Sequence, residues 1–249
     1  MQDNVFIAEV LGTAILVLLG DGVVAGVLLN HSKAQNAGWI VVTFGWGMAV
    51  AIAVFVVAQF SGAHINPAVT IGAASIEAPL CPGNEGALCG WGDVPVYLAG
   101  EFVGAFLGAV LVWLAYMPHW QETDDPGLKL AVFSTGPAVR KFGLNVVTEI
   151  IGTAVLLIGV LGIISDAGAA GSGLAPLLIG LLVFGIGLSL GGPTGYAINP
   201  ARDLGPRIAH AVLPIAGKGD SDWEYAWVPV VGPIIGGLLG AILYNVLWP

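Results

Sequence analysis

Charge is what this chain has least of. Only 9% of its 249 residues are Asp, Glu, Lys or Arg, against about 25% in an ordinary soluble domain. Basic side chains are the scarcest: seven Lys and Arg stand against sixteen Asp and Glu, for a net charge of −9. With a pI near 4.6 and no basic run, a nucleic-acid partner and an anionic-lipid cluster are both excluded. Cysteine is nearly absent. The two present, Cys81 and Cys89, share one Pro/Gly-rich loop. They can pair, but no spacing rule demands it, and two free thiols is the simpler reading. They lack the extra Cys or His partners that a metal site needs, so no metal is expected. A nucleophile–base pair and a phosphate loop are also missing, which leaves an enzyme reading without support and implies no cofactor.

What is present is apolar. The chain is 57% hydrophobic with 38 glycines and a mean hydropathy of +0.90, the composition of a membrane protein whose helices pack closely in a lipid bilayer. A membrane span needs about 20 mainly apolar residues. Six stretches qualify: 5–29, 39–60, 95–116, 143–164, 174–192 and 226–248. The first follows "MQDN", which has no basic n-region, and reads as a retained helix. Glycines recur every fourth residue at 100, 104 and 108 and again at 232, 236 and 240, stripes that let helix backbones touch. Trp39, Tyr97, Tyr116, Trp227 and Trp248 fall near span ends, where interfacial anchors belong.

The chain also repeats itself. "SGAHINPAVT" (61–70) returns as "TGYAINPARD" (194–203), and "AEVLGTAILVLLG" (8–20) as "TEIIGTAVLLIGV" (148–160). Glu9 therefore matches Glu149, and Asn66 matches Asn199. Two half-spans, about 66–77 and 199–210, open with Asn-Pro, a good N-cap followed by a good first helical residue. Each half reads as span, span, half-helix, span. Three full spans per half is an odd number, so the second half is inverted in the membrane. The repeats are about 1–120 and 140–249, within one domain. Paired half-helices in inverted repeats point to a site at the bilayer midplane.

The chemistry of that site follows from its parts. The two half-helices would meet N-terminus to N-terminus. Each Asn oxygen would cap its own helix, leaving both amide NH2 groups free in the gap. Each helix start carries about half a positive charge. At about 5 Å and an effective dielectric near 20, each repels a cation by about 1–2 kcal/mol, and desolvation adds several kcal/mol more. Neutral molecules with lone pairs meet neither barrier.

These residues resemble the aquaporin and aquaglyceroporin family (major intrinsic proteins), and within it the bacterial glycerol facilitators. The resemblance covers nearly the whole chain. It implies an all-α membrane fold of six transmembrane helices and two re-entrant half-helices, assembled as a homotetramer with one pore per subunit. It implies passive conduction of glycerol, water and similar small neutral solutes such as urea or neutral lactic acid. Position by position, it implies a filter of Trp46, Gly187, Tyr196 and Arg202, with Asp203 in support. Trp46 and Tyr196 would form an apolar corner, Arg202 would donate to hydroxyls from the other side, and Gly187 would widen the opening. It also implies pore-lining carbonyls at Gly62, Ala63, His64, Gly195, Tyr196 and Ala197, with Glu9 and Glu149 bracing those loops. His64 reads as a buried, satisfied histidine rather than a pH gate.

Some readings stay open. Asp21 has no counterpart in the resemblance; it faces a vestibule or caps a kink. Glu101 stands where the family often has Gln. The resemblance implies a bacterial plasma membrane with both termini cytoplasmic, whereas counting basic loop residues places the termini outside. A water-selective pore would favour a bulky His where Gly187 stands. An ion-coupled transporter would need acids at the midplane, where this chain offers amides.

Overall fold

The computed structural model describes residues 2–81 and 89–248, and the regular secondary structure among them is all helical. The first half comprises α1 (Gln2–Leu28), α2 (Trp39–Ser61), α3 (Pro67–Ser75) and α4 (Val94–Ala115). Two short helices follow, α5 (His119–Glu122) and α6 (Pro126–Phe133). The second half comprises α7 (Phe142–Ser165), the short α8 (Ala167–Gly171), α9 (Ala175–Leu190), α10 (Pro200–Val212) and α11 (Val228–Leu247). Helices α1, α2, α4, α7 and α11 are long and apolar enough to cross a membrane. Helix α9 is apolar too, but has 16 residues. At 1.5 Å per residue it extends about 24 Å, less than the bilayer's hydrocarbon core. It ends where Gly191, Gly192 and Pro193 break the pattern.

Packing follows the repeat. Helix α1 lies against α4, as α7 lies against α11. The half-helices trade sides: α3 packs on α11 and α10 packs on α4. Glycine makes the first two contacts possible at matched places. A Cβ on Gly100 would lie 2.8 Å from Cβ of Glu9, and one on Gly232 would lie 2.6 Å from Cβ of Glu149. The outer faces keep their large apolar side chains exposed, among them Phe55, Leu144 and Val246, as a lipid-facing surface requires.

One detail departs from the sequence reading. Tyr97 is buried, stacked on His64 with ring centroids 4.1 Å apart, and donates its hydroxyl hydrogen to the carbonyl of Ser61. It is a core side chain, because α4 turns this face inward. The connection 117–141 between the two halves carries buried side chains of its own. It buries Trp120, Lys129, Val132 and Phe133, with the Lys129 ammonium donating to the carbonyl of Ala216.

Candidate functional site

The site begins with two stretches of left-handed backbone. Gly62 (φ 79°), Ala63 (55°) and Ile65 (47°) precede α3, and Gly195 (81°), Tyr196 (41°) and Ile198 (44°) precede α10. The register of the repeat is kept residue for residue. A β-branched residue at positive φ is a genuine outlier, and such residues cost about 1–3 kcal/mol each and persist only where their surroundings hold them. Here a buried carboxylate does the holding. Glu9 accepts from the Ser61 hydroxyl (2.6 Å) and from the backbone N–H groups of His64 (3.0 Å) and Ile65 (2.6 Å). Glu149 accepts from the Thr194 hydroxyl (2.6 Å) and from the N–H groups of Ala197 (3.1 Å) and Ile198 (2.8 Å). With the N–H groups drawn toward the glutamates, Gly62, Ala63, His64, Tyr196 and Ala197 face a common cavity of about 170 Å³. Gly195 faces a second cavity of about 470 Å³.

The two half-helices abut at their starts. Asn66 Oδ1 accepts from the N–H of Ala68 (2.9 Å), and Asn199 Oδ1 from those of Ala201 (3.0 Å) and Arg202 (3.1 Å). The amide groups are not left wholly free, as the sequence reading had them. Asn66 Nδ2 donates to the carbonyl of Ile198 and Asn199 Nδ2 to that of Ile65, both at 2.8 Å. One hydrogen of each amide thus closes the seam between the halves, because the carbonyl before the opposite half-helix is the nearest acceptor. One hydrogen of each remains for the cavity that both residues line.

Trp46, Tyr196 and Arg202 line both cavities and so form the boundary between them. Their arrangement differs from the expected one. The Arg202 guanidinium does not face Trp46 from across an opening; it lies over the indole, with Cζ 3.9 Å from the ring centroid. This is a cation–π contact, strengthened by burial. Gly187 lines neither cavity. A Cβ there would come within 2.7 Å of Tyr196 Cζ and 2.9 Å of Thr43 Cγ2. Its missing side chain seats the Tyr196 ring rather than widening the opening directly. Gly20 does the same for the Trp46 ring.

Asp21 takes neither place considered for it from sequence. It is fully buried, with Oδ1 3.5 Å from Arg202 Nη1, and accepts no hydrogen bond among the described residues. The signal was visible as an acid in mid-span, which is functional by default, but nothing local named its partner. Asp203 turns away from Arg202. It accepts from the Thr135 N–H and hydroxyl (both 2.7 Å) and from Arg207 Nε (2.8 Å). It thereby ties the 117–141 connection to α10, and Thr135 lines the larger cavity. Glu101 Oε1 accepts from the Asn66 N–H (3.1 Å) and the Thr70 hydroxyl (2.7 Å), so it supports α3 alone.

Two cysteine readings are corrected. Cys81 and Cys89 form a disulfide rather than two free thiols, since their Cα atoms stand 5.1 Å apart, within bonding range. Nor are they without a histidine: His64 brings its ring to them, with ligand atoms of all three residues within 4.8 Å of one another. His64 is distant in sequence, and only the packing of its loop against this one supplies it.

Comparison with known proteins agrees with this architecture. The family model for major intrinsic proteins matches residues 2–244. A protein named probable glycerol uptake facilitator protein, from Thermotoga maritima, is 63% identical over 246 residues, covering 98% of this chain and all of its own. The glycerol uptake facilitator protein of Bacillus subtilis is 54% identical, over 96% of this chain and 83% of its own. The solved structure of the aquaglyceroporin from Plasmodium falciparum superposes with a TM-score of 0.82 at 30% identity, covering 98% of this chain and 96% of that one. A helical membrane protein built on two abutting Asn-capped half-helices, this chain belongs to the major intrinsic protein family.

Proposed function

We propose that this protein is a passive channel for glycerol and similar small neutral solutes, with water, and that it excludes ions and protons. The observation that carries the reading is the seam itself. Two half-helix N-termini meet beside a cavity, each presenting an amide hydrogen and no anion. A hydroxyl oxygen is accepted there, while a cation meets two positive helix ends without its hydration shell. The names of the relatives at 63% and 54% identity support glycerol as the solute.

In this reading Trp46, Gly187, Tyr196 and Arg202 make the selectivity filter. Trp46 and Tyr196 offer apolar surface to a carbon backbone, Gly187 sets the position of Tyr196, and Arg202 donates to hydroxyls. The carbonyls of Gly62, Ala63, His64, Gly195, Tyr196 and Ala197 accept hydrogen bonds along the path. Glu9 and Glu149 brace those segments, and Asp203 supports the filter through Thr135. The functional unit is a homotetramer of single-domain subunits, each an inverted repeat of about 1–120 and 140–249. It sits in a bacterial plasma membrane with cytoplasmic termini.

Stopped-flow light scattering on proteoliposomes tests the reading. In an inward glycerol gradient the vesicles should re-swell rapidly, with a rate unaffected by collapsing ion gradients. Fast shrinkage in an impermeant osmolyte without glycerol re-swelling would instead identify a water-selective pore. Dependence on an ion gradient would identify a coupled transporter.

A further inference from the structure

At the end of the smaller cavity away from Trp46 lies a side-chain cluster that conduction does not use. Trp46 stands 15 residues before Ser61 on α2, about 22 Å along the helix, so the loop after Ser61 belongs to the opposite end. There His64 meets Cys81 and Cys89. Cys89 Sγ lies 3.7 Å from His64 Nε2, and both side chains are buried, at 2% exposure each. Cys89 is held from behind, its N–H donating to the carbonyl of Ala78 (3.0 Å).

The hydrogen-bond network fixes which histidine nitrogen faces the sulfurs. Thr70 has one hydroxyl hydrogen, and it goes to Glu101 Oε1 at 2.7 Å. His64 Nδ1 lies 2.9 Å from the same hydroxyl oxygen. Nε2 is aimed at Cys89. With the proton on Nδ1, the far nitrogen would donate into this hydroxyl–carboxylate chain and leave Nε2 free to bind, the arrangement that orients metal-binding imidazoles. The ring is further fixed by its stacking on Tyr97.

We propose that, when the Cys81–Cys89 bond is reduced, Cys81, Cys89 and His64 bind one thiophilic divalent cation of the Zn²⁺ or Cd²⁺ class. The chemistry balances. Two equivalents of a low-molecular-weight thiol supply two electrons and two hydrogens, leave as their own disulfide, and convert the cystine to two thiols. The cation then displaces both thiol protons and takes the His64 lone pair. Tetrahedral zinc with bonds of about 2.3 Å to sulfur and about 2.0–2.1 Å to nitrogen needs a sulfur–nitrogen separation of about 3.5 Å, close to the 3.7 Å present. Water completes the fourth position. Disulfide and metal exclude each other, because the same sulfur electrons serve both.

The site adjoins the cavity. His64 and Leu80, the residue before Cys81, both line it, and the Leu80 carbonyl packs so closely on Gly62 that no Cβ fits between them.

Titration of the detergent-purified protein with Cd²⁺ tests the proposal, after phosphine reduction and a thiol count showing two per chain. One equivalent should bind, with the ultraviolet charge-transfer band of cadmium–thiolate bonds. The band should be lost in Cys81→Ser and in Cys89→Ser, whose glycerol re-swelling shows that both remain folded. His64→Gln should weaken binding about tenfold or more; should that variant not fold, the cadmium NMR shift of the wild-type complex reads the nitrogen ligand directly. Absence of binding in the reduced protein, survival of the band in either serine variant, or an oxygen-only third ligand would each overturn the proposal.

Discussion

Asp21 and Arg202 form a buried ion pair beneath the boundary between the two cavities, with Oδ1 3.5 Å from Nη1 and side-chain exposures of 0% and 8%. The arginine's other contacts are the face of Trp46 and a long approach of 3.5 Å to the carbonyl of Phe133. Asp21 is therefore the only carboxylate paired with it among the described residues, and it sets where the guanidinium rests. Removing one partner from a buried pair costs about 3–5 kcal/mol, because the other charge is left uncompensated. Asp21→Asn should lower the thermal unfolding midpoint in detergent. The double variant Asp21→Asn, Arg202→Gln should recover part of that loss. Additive losses would show that the pair is not coupled.

The two glutamate braces should behave alike. In Glu9→Gln or Glu149→Gln, an NH2 group is set against N–H donors, and hydrogen bonds to charged groups are worth about 1.5–3 kcal/mol each. Both variants should unfold at lower temperature than the parent and conduct glycerol more slowly, because the left-handed segments at Ile65 and Ile198 lose what holds them. Unchanged re-swelling in either variant would mean that its loop keeps its shape without the brace.

Gly187→Ala places a methyl group where the Tyr196 ring now sits. The ring must shift, and the shift narrows the boundary that Trp46, Tyr196 and Arg202 share. Glycerol re-swelling should fall several-fold, with a smaller effect on water, since the larger solute feels a narrowing first. Paired permeability measurements on the same vesicles decide it, and an equal loss for both solutes would place the effect elsewhere.

Asn66→Asp keeps the N-cap, since aspartate caps as well as asparagine. It replaces the Nδ2 donor to Ile198 with an oxygen, so two acceptors meet at the seam. A carboxylate at this point also opposes the positive ends of both half-helices. Vesicles carrying the variant should leak cations, read with a potential-sensitive dye, where the parent does not. A tight variant would mean that desolvation alone keeps ions out.

The repeat made much of this molecule readable from its residues. Apolar length places the spans, Asn-Pro marks each half-helix start, and duplication of "AEVLGT" as "TEIIGT" pairs Glu9 with Glu149. Those are local signals: hydrophobic run length, capping chemistry and self-similarity all act within a few turns of chain. The observed helix bounds accordingly differ from the apolar stretches by a few residues at each end.

What residue types and spacings could not supply is who faces whom. The partner of Asp21 lies 181 positions away, the amide of Asn66 reaches the carbonyl of Ile198, and Tyr196 fills the space that Gly187 leaves. The cysteines meet a histidine from another loop. Each contact depends on how α3 and α10 cross into the opposite halves. That crossing is decided by packing of whole helix faces, whose shape no short stretch of sequence encodes. The sequence by itself thus determined the elements and their symmetry. Tertiary packing decided the electrostatic partner of Arg202, the seat of Tyr196 and the thiol–imidazole cluster, because distance in space, not along the chain, governs charge pairing, steric fit and ligation.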